Sequence, residues 1–110
     1  MKYSVIDISS SSISLIVAES DGRKTEIVFK DRASISLLHY LDGKILTERG
    51  IEKLLEALRI MKDECAGFGV RYCYLISTAA LRVIKNCDEV SKAVAEKTGL
   101  AVNFLDGKTE

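Results

Sequence analysis

Two short apolar runs open the chain on either side of a polar segment. The runs YSVI and LIVA predict two buried strands, at residues 2–8 and 13–18, with the serines of DISSSSIS between them. The pair Asp21-Gly22 supplies a residue that tolerates positive φ, which predicts a hairpin into a third strand at residues 25–30. Three antiparallel strands are therefore expected at the start of the chain.

The third strand and the segment after it are less regular. Alternation along the third strand predicts that Ile27 and Phe29 share one face. Residues 33–44 are harder to assign, because the sequence ISLLHYLDGKIL (residues 35–46) fits a strand extension followed by a second Asp-Gly turn, and it also fits an irregular crossing. We expect a loop with some strand there.

A helical stripe follows this segment. Thr47 is the expected N-cap, and Gly67 and Gly69 are expected to stop the helix. The apolar residues at helical spacing are Ile51, Leu54, Leu55, Leu58, Met61 and Cys65.

The remainder of the chain alternates strand and helix. The pattern predicts a buried strand at residues 72–76 and a last strand at residues 100–105. It predicts a short helical piece in the sequence TAALRVIKN. Between them lies a second helix, which Asp88 is expected to cap and Gly99 to end. Its inner face carries Val90, Ala93 and Val94.

The order of elements is βββαβαβ, which indicates an α/β fold. Strands joined through helices run parallel with right-handed crossovers. We therefore expect a five-stranded mixed sheet with the first, fourth and fifth strands parallel and helices packed on the sheet. At 110 residues the chain is expected to form a single domain, residues 1–110, with one core.

Composition narrows the possible partners. The formal net charge is zero, so no basic stripe indicates nucleic-acid binding and no cationic face indicates an anionic membrane. No apolar run reaches the ~18–20 residues of a membrane span. The start MKYSVID leads directly into a strand without a signal-peptide core. We expect a cytoplasmic protein that binds neither nucleic acid nor membrane.

Cysteine and histidine give no metal signature. Cys65, Cys73 and Cys87 are odd in number and form no CxxC pair, so they fit neither a disulfide framework nor a zinc site. We expect reduced thiols. His39 is the single histidine and lacks ligands at metal-binding spacing, which favours a surface histidine over a metal ligand or catalytic base.

Ligands of open α/β sheets gather beyond the carboxyl ends of the parallel strands. This rule selects three segments of the chain: Asp7 with residues 9–12, residues 77–86, and Asp106-Gly107. The second segment opens a helix, whose first N–H groups favour an anion.

Three side chains of the second segment have two interpretations each. Thr78 fits a simple N-cap and also an anion contact. Arg82 is disfavoured by the dipole near a helix start, which indicates either a nearby oxyanion or an ion pair with Asp88 or Glu89. Asn86 also fits a cap of the second helix.

Four segments carry a resemblance to a known family. DISSSSISL stands in place of D-[IL]-G-S-N-S-x-[RK]-L, and LDGKILTERGIEKLLEAL is similar to G-x-L-[ST]-x-x-x-I. STAALRVIKN, the most specific match, is similar to T-x-A-L-R-x-A-x-N, and FLDGKTE stands in place of I-S-G-x-E-E. The whole chain thus resembles the amino-terminal part of the exopolyphosphatase and guanosine pentaphosphate phosphohydrolase (Ppx/GppA) family. The resemblance implies the ribonuclease-H-like fold of the actin-like ATPase superfamily.

The resemblance also implies a chemistry, the metal-assisted hydrolysis of phosphoanhydrides in polyphosphate or guanosine pentaphosphate. Asp7 would help to hold Mg²⁺ and its water network, and Glu110 would occupy the second position of the family's catalytic acidic pair. The implied phosphate-binding residues are Ser10, Ser12, Thr78, Arg82 and Asn86.

Several positions depart from the family pattern. The family glycine falls on Ser9, where a Cβ hinders close backbone approach to a phosphate. The family asparagine falls on Ser11, the family cation on Ser14, and the presumed catalytic base on Thr109. Charge-assisted hydrogen bonds are about twice as strong as neutral ones, so the missing cation weakens phosphate binding. We interpret the serine run as the remnant of a phosphate loop.

Two functional hypotheses follow. In the first, the chain is an amino-terminal fragment or degenerate homologue of such a phosphatase, inactive alone because the cleft needs a second domain or a homodimer partner. In the second, it is a non-catalytic interaction or regulatory module that binds a phosphate-bearing ligand weakly or a protein partner. A ribonuclease-H-type nuclease is disfavoured, because Asp7 is the only clear carboxylate at the predicted strand ends. The end of the chain just after a strand points to truncation at Glu110.

Overall fold

The computed structural model describes residues 1–9, 11–77, 84–100 and 102–104. The strands are β1 (Lys2–Ile8), β2 (Ile13–Ser20), β3 (Thr25–Ala33), β4 (Leu41–Asp42), β5 (Ile45–Leu46), β6 (Tyr72–Ser77) and β7 (Val102–Phe104). The helices are α1 (Glu48–Gly67) and α2 (Cys87–Thr98), and a 3-10 turn spans Leu37–Tyr40.

Five of the strands form one mixed sheet in the order β3-β2-β1-β6-β7. β1 pairs antiparallel with β2 and parallel with β6, and β7 pairs parallel with β6. The predicted mixed sheet is therefore confirmed, with β1, β6 and β7 as its parallel strands. The short strands β4 and β5 form a separate hairpin.

The sheet has two different faces. Residues such as Ile6, Leu15 and Leu75 are almost completely buried and share one core cluster with the buried residues of both helices. The opposite face, here called the open face, bears Tyr3, Val5, Asp7, Ile16, Tyr72 and Tyr74. No helix among the described residues covers it, and Tyr74 remains 50% exposed. The carboxyl edge of the sheet is therefore accessible from this side.

Helix α1 forms where the sequence predicted it. The hydroxyl of Thr47 accepts a hydrogen bond from the backbone N–H of Gly50 at 3.2 Å, which confirms the N-cap. The helix ends at Gly67, and Gly69 adopts a positive φ of 69° beyond it. Of the predicted stripe, the buried residues are Leu54, Leu58, Met61 and Cys65. The partly buried residues are Ile51 and Leu55, which pack at the border of the core.

A β-bulge makes one prediction about β3 wrong. Phe29 pairs with Val17 on the core side, whereas Ile27 pairs with Ala18, and the register shifts between Val17 and Ala18. The extra residue, Val28, reverses the alternation. Ile27 and Phe29 therefore lie on opposite faces, and Ile27 is 54% exposed.

The segment that the sequence left open contains a second Asp-Gly turn. Gly43 adopts a φ of 65° between β4 and β5, as a tight hairpin requires. This hairpin lies directly against the start of α1, because a Cβ on Gly50 would lie only 2.7 Å from Cδ1 of Leu46. Before the hairpin the chain forms a 3-10 turn.

The second helix begins earlier than predicted. α2 starts after Asn86, so Asp88 lies in its first turn and is not its cap. Gly99 ends the helix in the left-handed conformation, as predicted. The last strand, β7, lies within the predicted range 100–105, of which residues 101 and 105 are outside the described residues. All three cysteines are free thiols. No described helix has the length and apolar character that crossing a membrane requires.

Two carboxyl groups meet between α1 and β3. Asp31 lies on the core side of β3, because it pairs with Leu15, and Oε1 of Glu64 is shielded from solvent. Hydrogen bonding to the Asp31 carboxyl raises the pKa of Glu64 to about 7, and burial and the Asp31 charge act in the same direction. The pair therefore holds a proton in the folded chain that free carboxyls would have lost.

Truncation of Leu54 should destabilise the protein more than truncation of its neighbour Leu55. Leu54 is fully buried, so Leu54→Ala should cost about 2–5 kcal/mol in the free energy of unfolding, whereas Leu55 is only partly buried. Urea denaturation of both variants measures the difference. Equal costs for the two substitutions would show that α1 packs in a different register.

Stability should fall as pH rises toward neutrality. Unfolded Glu64 releases its proton near its ordinary pKa of 4.5, whereas the folded chain retains it up to about pH 7. The contribution of protonated Glu64 to the free energy of unfolding is therefore complete below pH 4.5 and is lost as the pH rises to about 7. We expect a higher urea midpoint at about pH 5.5 than at about pH 8. Glu64→Gln should flatten this dependence while the exposed control Glu56→Gln retains it; a flat wild-type profile would contradict the prediction.

Candidate phosphate-binding site

The carboxyl edge of the parallel strands brings the first candidate segment to Ser77, where the second segment begins. In the β1–β6 ladder, Asp7 pairs with Ile76 and Ile8 pairs with Ser77. Ile8 also pairs with Ile13 across the β1–β2 hairpin, so residues 9–12 form the connecting loop at the same edge. The aspartate, the serine loop and the end of β6 are therefore neighbours, as the sequence predicted.

The serine loop satisfies much of its own hydrogen-bonding capacity. The backbone N–H of Ser9 donates to the carbonyl of Ser12 at 2.9 Å, and the Ser9 hydroxyl donates to the same carbonyl at 2.8 Å. The N–H of Ser12 in turn donates to Oγ of Ser9 at 3.2 Å. The Ser9 side chain, which stands in place of the family glycine, thus accepts a hydrogen bond from a backbone N–H of the loop, that of Ser12.

The hydroxyls of the loop differ in exposure. Ser12 is only 5% exposed, and its Oγ lies 3.3 Å from Oγ of Ser9. Ser11 is exposed at the tip of the loop. Ser10 lies outside the described residues, so its predicted phosphate contact stays a prediction, as does that of Ser12.

Asp7 carries an unsatisfied oxygen at this edge. Its Oδ1 is buried and has no hydrogen-bond partner among the described residues. The hydroxyl of Ser77 is also buried and unpartnered, but the register places Ser77 on the helix-covered face. Buried polar atoms normally have a partner, so an orphaned carboxylate oxygen beside a loop is a candidate ligand for a cation.

The donor set limits which metal fits. The described residues contain no group of three or more His, Cys, Asp or Glu side chains that could hold a metal ion. Mg²⁺ is commonly held by one or two carboxylates together with waters and substrate phosphates. One carboxylate at Asp7 is compatible with such a site and does not form a closed all-protein cage.

Asn86 has a structural role that the sequence did not predict. Its Oδ1 accepts from the N–H of Leu46 at 2.9 Å, and its Nδ2 donates to the carbonyl of Leu46 at 3.0 Å. It occupies the N-cap position of α2 without making a side-chain cap bond. The amide therefore joins the start of α2 to the β4–β5 hairpin, and its predicted phosphate contact stays a prediction.

Two cations on β3 were missed by the sequence reasoning. Ser14 pairs with Asp7 on one side and with Arg32 on the other, and Ile16 pairs with Lys30. Paired residues of antiparallel strands project to the same face. Lys30 and Arg32 therefore project to the open face beside Asp7. Their spacing along β3 predicts a shared face, but the register that places them next to Asp7 is not readable from the sequence.

The remaining candidates lie outside the described residues. These are Thr78, Arg82 and Glu110, together with most of the short helical piece TAALRVIKN. Their predicted roles at the anion site and in catalysis stay predictions.

Comparison with known families and sequences gives one consistent result. The profile of the Ppx/GppA phosphatase family matches residues 15–110. A guanosine-5'-triphosphate,3'-diphosphate pyrophosphatase from Pseudoalteromonas translucida is 28% identical over 98% of this chain and 22% of its own length. An uncharacterized protein from Streptomyces coelicolor is 26% identical over the whole chain and 33% of its own length. The chain thus spans about a third or less of these relatives.

Solved structures show the same relationship. The Aquifex aeolicus Ppx/GppA phosphatase superposes with a TM-score of 0.90 at 28% identity, over 97% of this chain and 36% of that protein. An exopolyphosphatase from Cytophaga hutchinsonii gives a TM-score of 0.91 at 16% identity, over 100% of this chain and 36% of that protein. At that identity the second match supports the fold alone. The predicted ribonuclease-H-like, actin-like ATPase fold is therefore confirmed.

Proposed function

The chain belongs to the Ppx/GppA phosphatase family, and from this premise we propose that the carboxyl edge of its sheet binds the phosphate groups of polyphosphate or guanosine pentaphosphate. The observation that carries the proposal is the position of Asp7, whose buried Oδ1 beside the serine loop has no partner among the residues that the structure describes. The name of one relative, a guanosine-5'-triphosphate,3'-diphosphate pyrophosphatase, supports phosphoanhydrides as the ligand class.

The described residues supply distinct parts of this site. Asp7 would hold Mg²⁺, which when bound neutralises phosphate charge and polarises a phosphoryl oxygen. The serine loop would present hydroxyls to phosphate oxygens, with Ser11 exposed at its tip. Ser10, Thr78 and Arg82 would complete the contacts on the anion.

The chain alone is proposed to bind without turnover. Phosphoanhydride hydrolysis needs a positioned base for the attacking water, and by the resemblance Thr109 stands at the first acidic position while Glu110 stands at the second. The chain also spans only 36% of the Aquifex phosphatase. A second domain or a homodimer partner would supply the rest of the cleft.

The hydrogen bonds of the serine loop favour a second candidate, a non-catalytic module. The Ser12 N–H and the Ser9 hydroxyl are engaged within the loop, so an anion must compete with internal partners. Such a loop fits weak recognition of a phosphate-bearing ligand or a purely structural hairpin. The two candidates differ in whether magnesium and Asp7 contribute to binding.

Titration with pyrophosphate in the presence of magnesium tests the proposal. Amide NMR shifts are expected at Ser9, Ser11 and Ser12, with a Kd no tighter than about millimolar, or ~4 kcal/mol, because the loop competes for its own donors. Asp7→Asn should remove the part of the affinity that depends on magnesium.

Asp42→Asn is the matched control, because Asp42 is an exposed carboxylate in the β4–β5 hairpin. It should leave the titration unchanged. If saturating pyrophosphate shifts no amide signal of the serine loop, the proposed site is contradicted. Magnesium-dependent shifts that persist in Asp7→Asn would show that Asp7 does not hold the metal, and only the non-catalytic module would remain as a candidate.

A further inference from the structure

We propose that Lys30 and Arg32, here called the basic pair, form a subsite for a chain of linked phosphates on the open face beside Asp7. This inference rests on the proposed function, which it deepens by naming the cations and the ligand form. The basic pair lies on β3, an edge strand of the sheet, one strand beyond the β1–β2 hairpin that carries the serine loop.

The ladder registers place the basic pair near the candidate site. Arg32 pairs with Ser14, and Ser14 pairs with Asp7, so these three residues form one row across three strands near the carboxyl edge. Neighbouring strands are about 4.8 Å apart, so the Cα atoms of Asp7 and Arg32 are separated by roughly 10 Å. Lys30 belongs to the next row, beside Ile16.

The two cations have no ion-pair partner within the described part of the chain. Among the described residues the ion pairs are Lys24 with Glu26 and Arg59 with Asp63, so neither member of the basic pair has a carboxylate partner. Both side chains are exposed on the same face of one strand, two residues and about 7 Å apart. Asp31, between them in sequence, points to the opposite face. The arrangement concentrates positive charge that no ion pair among the described residues offsets.

The surface at this point has a shallow, open depression. A depression of about 380 Å³ is lined by Ser14, Leu15, Ile16, Lys30, Asp31 and Arg32. Lys30, Arg32 and the Ser14 hydroxyl are the groups there that donate hydrogen bonds to phosphate, and bonds from charged donors are about twice as strong as neutral ones. The depression is open, so it accommodates an extended ligand.

The geometry selects a chain of phosphates over a single phosphate. Once one phosphoryl group is held by the serine loop, a linked group reaches the basic pair at a high effective concentration. Orthophosphate has no second group and gains nothing from this linkage. Tripolyphosphate should therefore bind more tightly than orthophosphate, and the basic pair should account for the difference.

Replacement of the basic pair tests the subsite. Lys30→Ala/Arg32→Ala should weaken tripolyphosphate binding to the full chain by roughly five- to tenfold, while orthophosphate binding changes by less than about twofold. Wild-type amide shifts are expected at Ser14, Lys30 and Arg32 as well as in the serine loop. Isothermal titration and amide NMR give the two readouts, and the spectrum of each variant reports whether it is folded.

Arg23→Ala/Lys24→Ala is the matched control, because it removes two cations of the same types from the same β2–β3 hairpin at its opposite end. The control should bind tripolyphosphate within about twofold of wild type. Equal weakening in both double variants would overturn the subsite, because net charge alone would then explain the effect.

The outcomes also separate this inference from the proposed function. Serine-loop shifts with an affinity unaffected by Lys30→Ala/Arg32→Ala would overturn the subsite and leave the proposed function standing. Tripolyphosphate that shifts neither the serine loop nor β3 would overturn both.

Discussion

The pairing of β1 on both edges is the constraint on which the rest of the structure depends. β1 binds β2 in an antiparallel ladder and β6 in a parallel one, so its position is fixed along its whole length. This double pairing puts Ile6 and Ile8 into the core under the helices and turns Asp7 to the open face. It also holds the serine loop at the edge where the parallel strands end.

Much of this arrangement could be predicted from the sequence. The apolar runs, the first Asp-Gly turn and the helical stripe predicted the main strands and helix α1, because short-range periodicity determines these features. The order of the elements predicted the mixed strand directions. The opposite faces of Ile27 and Phe29 could not be predicted, since one extra residue at Val28 reverses the alternation and bulges leave no clear sequence signal. Asp88 was the expected cap of α2, and Asn86, the other residue that fitted a cap, holds the N-cap position. Its bond to Leu46 could not be predicted, because Leu46 lies forty residues away in sequence.

The candidate site also has one part that the sequence predicts and one part that only the strand register reveals. Asp7 lies near the end of β1 and the serine loop follows that strand in sequence, so their location is a local property. The basic pair reaches the site only through the β2–β3 register. The sequence interpretation found a missing cation at Ser14, whereas the structure places two cations beside that position on the neighbouring strand. A site assembled across strands can thus replace a charge that a linear motif has lost.

The hydroxyl of Ser9 is the feature that most directly limits phosphate binding. It accepts a hydrogen bond from the N–H of Ser12, so this N–H cannot bind a phosphate until the loop opens. Pyrophosphate titration of Ser9→Gly, by calorimetry, tests the point. We predict about tenfold tighter binding, or ~1.4 kcal/mol, because the freed N–H gains a charged acceptor. Ser11→Gly adds the same backbone freedom at an exposed position and should have no such effect. Unchanged or weaker binding by a folded Ser9→Gly chain would contradict the view that the loop competes with its ligand.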